Sequence, residues 1–155
     1  MKFYVETSVW GALLDEKDTR KHLITQLFIS QARRKEDILY ISPTVIAEAK
    51  AIKNIGKRIE LLELLDQTNP TFIAFHNEAR DLAQRYIQEG AMSSKHIYDA
   101  THLAYATIGA VDIITSWNMR HIVRRKTRII VQYVNSLLGY RTIDIITPEE
   151  VIDFE

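Results

Sequence analysis

The sequence predicts an α/β fold, with a central, mostly parallel β-sheet flanked by α-helices. Two observations predict it. Short apolar runs alternate with longer amphipathic segments along the chain, and no repeat, low-complexity stretch or long linker interrupts them. Apolar strands joined by helical crossovers form parallel sheets covered on both faces. With 155 residues, 46% of them hydrophobic, the chain can bury a sizeable core, and one domain over residues 1–155 is expected.

The elements follow in order. Phe3 to Val5 reads as a buried strand. Asp18 caps a helix running to about Arg34, with Leu23, Leu27, Phe28 and Ala32 on one face. Ile38 to Ile41 is a second strand, and Ser42-Pro43 then opens a helix, Ser as N-cap and Pro at the first helical position. That helix turns Val45, Ile46, Ala49 and Ile52 inward and ends near Gly56; another covers Ile59 to Asp66. Phe72 to Phe75 is a third strand. Glu78 to Gln88 is helical and closed by Gly90, and Ser93 or Ser94 caps a helix reaching about Thr107. Val111 to Thr115 is a fourth strand, Ile122 to Leu138 a helix stopped by Gly139, and Ile143 to Ile146 a fifth strand. Thr147-Pro148-Glu149-Glu150 is a capping box opening a short final helix.

Lys+Arg and Asp+Glu both number 20, so overall charge selects no partner. Its distribution does: between Asp112 and Asp144 no acid occurs, while Arg120, Arg124, Arg125, Lys126, Arg128 and Arg141 all fall there. Cysteine is absent, which excludes disulfides, thiolate metal sites and a cysteine nucleophile. The chain starts in a strand, without a charged-then-apolar leader, and no apolar run is long enough to span a bilayer. A cytoplasmic protein is the expectation. No Gly-x-Ser-x-Gly elbow, P-loop or dinucleotide-binding Gly-x-Gly-x-x-Gly is present, which argues against triad hydrolases, nucleoside triphosphatases and Rossmann dehydrogenases.

Four short islands carry chemistry: Val5-Glu6-Thr7-Ser8, Val45 to Ala49 around Glu48, Tyr98-Asp99-Ala100, and Thr115-Ser116-Trp117-Asn118. Glu6 ends the first strand, Glu48 lies within two turns of the second, and Asn118 follows the fourth. Asp99 stands near the start of a crossover helix, which runs antiparallel to the strands. All four positions therefore reach the carboxyl edge of the sheet, where open α/β sheets place their sites. Taken singly, each acid has an ordinary reading: Glu6 as a helix-start acid, Glu48 as a solvated helix residue, Asp99 as a first-turn dipole partner. Taken together, converging carboxylates raise one another's pKa values and call for a hard cation. Mg2+ there would orient and acidify a water for attack on a phosphodiester.

At these islands the chain resembles PIN-domain nucleases, particularly the VapC-like toxins of type II toxin–antitoxin pairs. The matching stretches are Phe3-Tyr4-Val5-Glu6-Thr7-Ser8, Ser42 through Glu48, Asp99-Ala100-Thr101-His102-Leu103-Ala104 and Ser116-Trp117-Asn118. The resemblance runs from residue 3 to about residue 147. It implies an Mg2+- or Mn2+-dependent ribonuclease with Glu6, Glu48, Asp99 and Asn118 as metal-holding and catalytic residues, RNA as substrate, and a cognate antitoxin and a homodimer as partners. Two positions depart from the pattern. Glu6 stands where the family has Asp, and Asn118 where it has an acid. Weaker metal binding than in a four-acid relative is expected, and a catalytically degenerate module that binds RNA or a protein is the alternative.

Around the islands, Thr7, Ser8 and Ser116 are candidates to contact substrate or a metal-bound water; helix capping is the ordinary role. Arg120, His121 and Arg124, with Arg125, Lys126 and Arg128, form a candidate phosphate track. His102 and His121 are each expected to be packed or hydrogen-bonded structural histidines, with a contact to phosphate or metal as the sharper reading. Trp10 and Trp117 are expected in core or interface packing. Ile59, Leu61, Leu62, Leu64 and Leu65 give one helix more apolar surface than a single face needs, which reads as core or as a dimer or antitoxin interface.

Overall fold

The computed structural model of the protein describes residues 1–152; the last three residues of the expected 1–155 domain lie outside the described residues. Five strands form one all-parallel sheet: β1 (Lys2–Val5), β2 (Ile38–Ile41), β3 (Thr71–Phe72), β4 (Ile113–Thr115) and β5 (Asp144–Ile146), in the order β3-β2-β1-β4-β5. Eight α-helices flank it among the described residues: α1 (Thr7–Leu14), α2 (Thr19–Arg34), α3 (Pro43–Lys50), α4 (Ile55–Thr68), α5 (Asn77–Gln88), α6 (Ile97–Ile108), α7 (Arg125–Leu138) and α8 (Pro148–Val151). The α/β expectation therefore holds.

The strand order places a topological switch at β1. The chain lays β2 and β3 on one side of β1, then crosses to lay β4 and β5 on the other. Register pairs Tyr4 with Tyr40 on one side and Val5 with Thr115 on the other. Glu6 leaves β1 at the point where neighbouring connections diverge, which opens a crevice at the carboxyl edge. Beneath it Tyr4, Val5, Val45, Leu103 and Ile114 are all fully buried in the core. Trp10 is fully buried too, its Nε1–H donating to Val5 O at 2.9 Å. Trp117 donates to Thr25 Oγ1 at 2.9 Å, so both tryptophans serve packing, as expected.

Local chemistry sets the element ends. Asp18 caps α2 by accepting from Lys21 N, and Ser42 caps α3 with Pro43 in its first turn. Thr147 and Glu150 form the expected capping box. Gly139 ends α7 in the left-handed region at φ +81°.

Several expectations need correction. Residues 7–14 form a helix that was not among the expected elements, with Glu6 itself as the N-cap. Gly56 does not end α3. It sits in the first turn of α4, which Asn54 caps by accepting from Lys57 N. The third strand shrinks to Thr71–Phe72, because it is an edge strand and His76 already caps α5; Phe72 and Phe75 are exposed. The segment from 122 to 124 is not helical. Ile122 and Val123 instead fold back to donate to Asn118 O, and α7 begins at Arg125. On α2 the buried stripe is Ile24, Phe28, Ile29 and Ala32, leaving Leu23 and Leu27 outside, because Phe28 packs edge-on against Phe3. On α4, Leu61 and Leu65 are core, Leu62 and Leu64 half-buried, and Ile59 exposed.

Candidate active site

Glu6 is held where β1 turns into α1. Its backbone N–H donates to Thr115 O at 3.1 Å, which ties the end of β1 to β4. Its Oε2 accepts from Ser8 N at 3.1 Å, from Ser116 Oγ at 2.7 Å and from Ser8 Oγ. Ser8 Oγ in turn accepts from Trp117 N at 2.9 Å, and Ser116 Oγ from Asn118 N at 2.9 Å. The first and fourth islands are thus one hydroxyl–carboxylate network. Capping and site-building coincide in Glu6, which caps α1 through Ser8 N.

Glu48, in the last turn of α3, reaches the same place. Its Oε1 accepts from Thr7 Oγ1 at 2.7 Å and is hydrogen-bonded to His102 Nε2. His102 is fully buried, with Nε2 also 3.7 Å from Glu6 Oε1. On its other side, Nδ1 bonds the Tyr4 hydroxyl at 2.7 Å, and that hydroxyl bonds Ser42 Oγ at 2.7 Å. A polar chain therefore runs from the α3 cap through β1 and α6 to the two glutamates. Burying two carboxylates side by side is costly without a counter-charge, and the imidazole supplies one.

The electrostatics follow. For Glu48, burial pushes the pKa up, but the bond to His102, its charge and the bond to Thr7 outweigh it, and the carboxyl sits below its usual value. For His102, burial pushes the imidazolium down, and Glu48, Glu6 and Asp99 together carry it above its usual value. Asp99 moves upward, through burial and the charge of Glu48, against relief from His102, His121 and the Asn118 amide.

Asp99 belongs to a second cluster. The site divides into Glu6, Glu48 and His102 on one side and His96, Asp99 and His121 on the other; within each trio the ligand atoms lie within 4.8 Å of one another. Asn118 joins them. Its amide hydrogen-bonds Asp99, while its Oδ1 accepts from His121 N at 3.0 Å. The oxygen expected to face a metal is thus engaged with the backbone.

The basic segment splits. Arg120, Arg125 and Lys126 are exposed. Arg124 donates to Ala91 O at 2.5 Å and Thr127 Oγ1 at 3.1 Å, and Arg128 donates to Ile145 O at 2.9 Å, so both fasten the chain itself. Beside Asn118 a cleft of about 370 Å³ is lined by Ser8, Gly11, Asp15, Lys21 and Trp117. A larger cleft of about 770 Å³ between α1 and α4 includes none of the site carboxylates.

Tyr4 and Ser42 escaped sequence reasoning as members of the network, although Ser42 was expected as a cap. A tyrosine inside an apolar strand looks like core, and nothing local says that its hydroxyl meets a histidine 98 residues later. The weak signal was the spacing of His102 from Asp99, one turn along α6.

Such a sheet, with its crevice at the β1 switch, matches a PIN-like α/β fold. Among solved structures, the crystal structure of Mycobacterium tuberculosis VapC20, described as a sarcin–ricin loop cleaving toxin, matches with a TM-score of 0.59. The match covers 92% of this chain and 98% of that one at 14% sequence identity, a likeness of fold. Neither a protein-family model nor a curated protein sequence matches the chain.

Proposed function

We propose that this protein is a divalent-metal-dependent endoribonuclease of the PIN type and the toxin of a type II toxin–antitoxin pair. One observation carries the reading: the carboxylates of Glu6 and Glu48 converge at the carboxyl edge of β1, with Asp99 beside them, on a VapC-like sheet. The donor set fits a hard cation. Glu6 and Glu48 each have one oxygen fastened, Glu6 by Ser8 and Ser116 and Glu48 by Thr7 and His102, so their second oxygens are available to hold it. Mg2+ or Mn2+, when bound, would supply Lewis acidity toward a phosphodiester.

The chain's own residues do the rest. Thr7, Ser8 and Ser116 orient the carboxylates, and Asn118 acts through its amide contact with Asp99. Arg120 and His121 hold the RNA backbone beside the site, while Arg124 shapes the loop that presents them. VapC20 is described as a sarcin–ricin loop cleaving toxin; RNA as substrate and a cognate antitoxin as partner are part of the proposed reading. The exposed Ile55 and Ile59 of α4 are the proposed surface for an antitoxin or a second copy. A cytoplasmic location accords with this role; among the described residues no helix is long and apolar enough to cross a membrane.

The test is cleavage of RNA with Mg2+ or Mn2+ by the wild type beside a Glu48→Gln, Asp99→Asn double variant. Cleavage by the wild type alone supports the reading. Equal cleavage by both proteins, or by neither across metals and substrates, sinks it. A second reading, a degenerate module that binds RNA or a protein, is favoured by Asn118 and by the imidazole already paired with Glu48. An Asn118→Asp change that switches cleavage on would identify degeneration.

A further inference from the structure

Three of the five histidines gather at this rim, and His102 alone is accounted for by the glutamates. The other two, His96 and His121, lie against each other beside Asp99. His96 ends the 3₁₀ turn Ser94–His96, and Asp99 follows one turn on in α6. His96 Nδ1 and Asp99 Oδ2 lie 3.9 Å apart. His121 comes from the loop after β4, its backbone N–H anchored on Asn118 Oδ1 at 3.0 Å. The two imidazoles stack with centroids 3.6 Å apart and planes 23° from parallel.

We propose that His96, Asp99 and His121 form a second cation site, which takes a transition-metal ion such as Zn2+ or Co2+ in preference to Mg2+. Donor chemistry sets the preference. Imidazole nitrogen suits borderline ions, whereas Mg2+ prefers an all-oxygen shell. Two histidines and one carboxylate supply three protein ligands and leave a position for water or a phosphate oxygen. Access fits as well. The His96 side chain is 36% exposed and Asp99 15%, so an ion can enter, and His96 can turn about its Cβ–Cγ bond to break the stack and aim a nitrogen at it. Arg124, on the same loop, is engaged by Ala91 O and Thr127 Oγ1. The Asn118 amide holds the Asp99 carboxylate, a partner of the kind that orients metal ligands. This site does not rest on the ribonuclease reading, although it shares Asp99 and His121 with it.

The experiment titrates Co2+ alone into the full chain after chelator treatment, following visible absorption and calorimetry. Wild type is set beside His96→Ala, His121→Ala and Glu48→Gln, each checked for folding by circular dichroism. The expected result is a visible band from an imidazole-bound ion that Mg2+ does not displace. Each histidine change weakens its binding by at least about tenfold, and Glu48→Gln leaves it in place. No band in the wild type overturns the proposal. So does a band indifferent to both histidine changes, or one lost with Glu48→Gln, which would put the ion between the glutamates. Because no RNA is present, a protein that binds Co2+ here but cleaves nothing keeps this site and loses the nuclease reading. The reverse outcome does the opposite.

Discussion

His102 decides how Glu6 and Glu48 coexist in the absence of an ion. Removing it leaves the half-buried Glu48 Oε1 and the buried Tyr4 hydroxyl each short of a partner. Truncating one member of a buried charged pair costs about 3–5 kcal/mol. His102→Ala is therefore expected to lower Tm sharply, by more than Thr7→Ala, and thermal melts check this. The same pair sets a pH window. Glu48 has a folded pKa below its ordinary 4.5, so its contribution is present above that value and lost as pH falls through the lowered one. His102 has a folded pKa above its ordinary 6.5, so its contribution is present below 6.5 and lost as pH rises through the raised one. Melts in chelator across pH should show the pair stabilising most between 4.5 and 6.5, a profile flattened in His102→Gln. Asp99 works the other way. Its raised pKa means that ionisation above 3.8 subtracts stability, so Asp99→Asn should melt no lower than wild type at neutral pH. Of these residues, Glu6, Glu48 and Asp99 were legible as acids in apolar settings, and Asn118 as the odd member. Tyr4 was not legible, because its hydroxyl has meaning only once β1 lies against α6.

At the scale of elements, caps and turns were the most legible features, since they depend on a few neighbouring residues. Ser42 both caps α3 and bonds Tyr4, so Ser42→Ala should cost about 1–2 kcal/mol, more than a cap alone. Gly139→Ala isolates backbone cost. A Cβ there would meet no atom within 4 Å, so the roughly 1 kcal/mol loss expected comes from forcing φ +81° on an L-residue. Urea denaturation of the two variants measures both. Less legible were α1, which starts on a glutamate rather than a usual cap, and β3, an edge strand whose apolar residues stay outside. On α2, Phe28 and Ala32 face in as expected while Leu23 and Leu27 do not, because Leu and Ile are equally apolar and only the neighbour Phe3 selects which of them faces in.

For the whole molecule, the site is a product of topology. The β1 switch brings residues 6, 48, 99 and 118 to one rim, and a cation held between Glu6 and Glu48 would link β1 to α3 in the folded state only. Mn2+ at about 100 times its Kd should then stabilise the protein by about 2.7 kcal/mol, an effect absent from a Glu6→Gln, Glu48→Gln variant and readable as a rise in Tm. The sequence by itself determined the α/β class, the order of the strands and of most helices, most caps and the islands of acid. These follow from local chemistry and from the periods of 2 and 3.6 that apolar residues trace along a chain. Only the tertiary structure decided that a buried histidine sits between the two glutamates, that Asn118 turns its oxygen to the backbone, and that Asp99 lies among histidines. Those contacts join atoms dozens of residues apart, and their directions come from how strands, helices and loops pack, which no local pattern encodes.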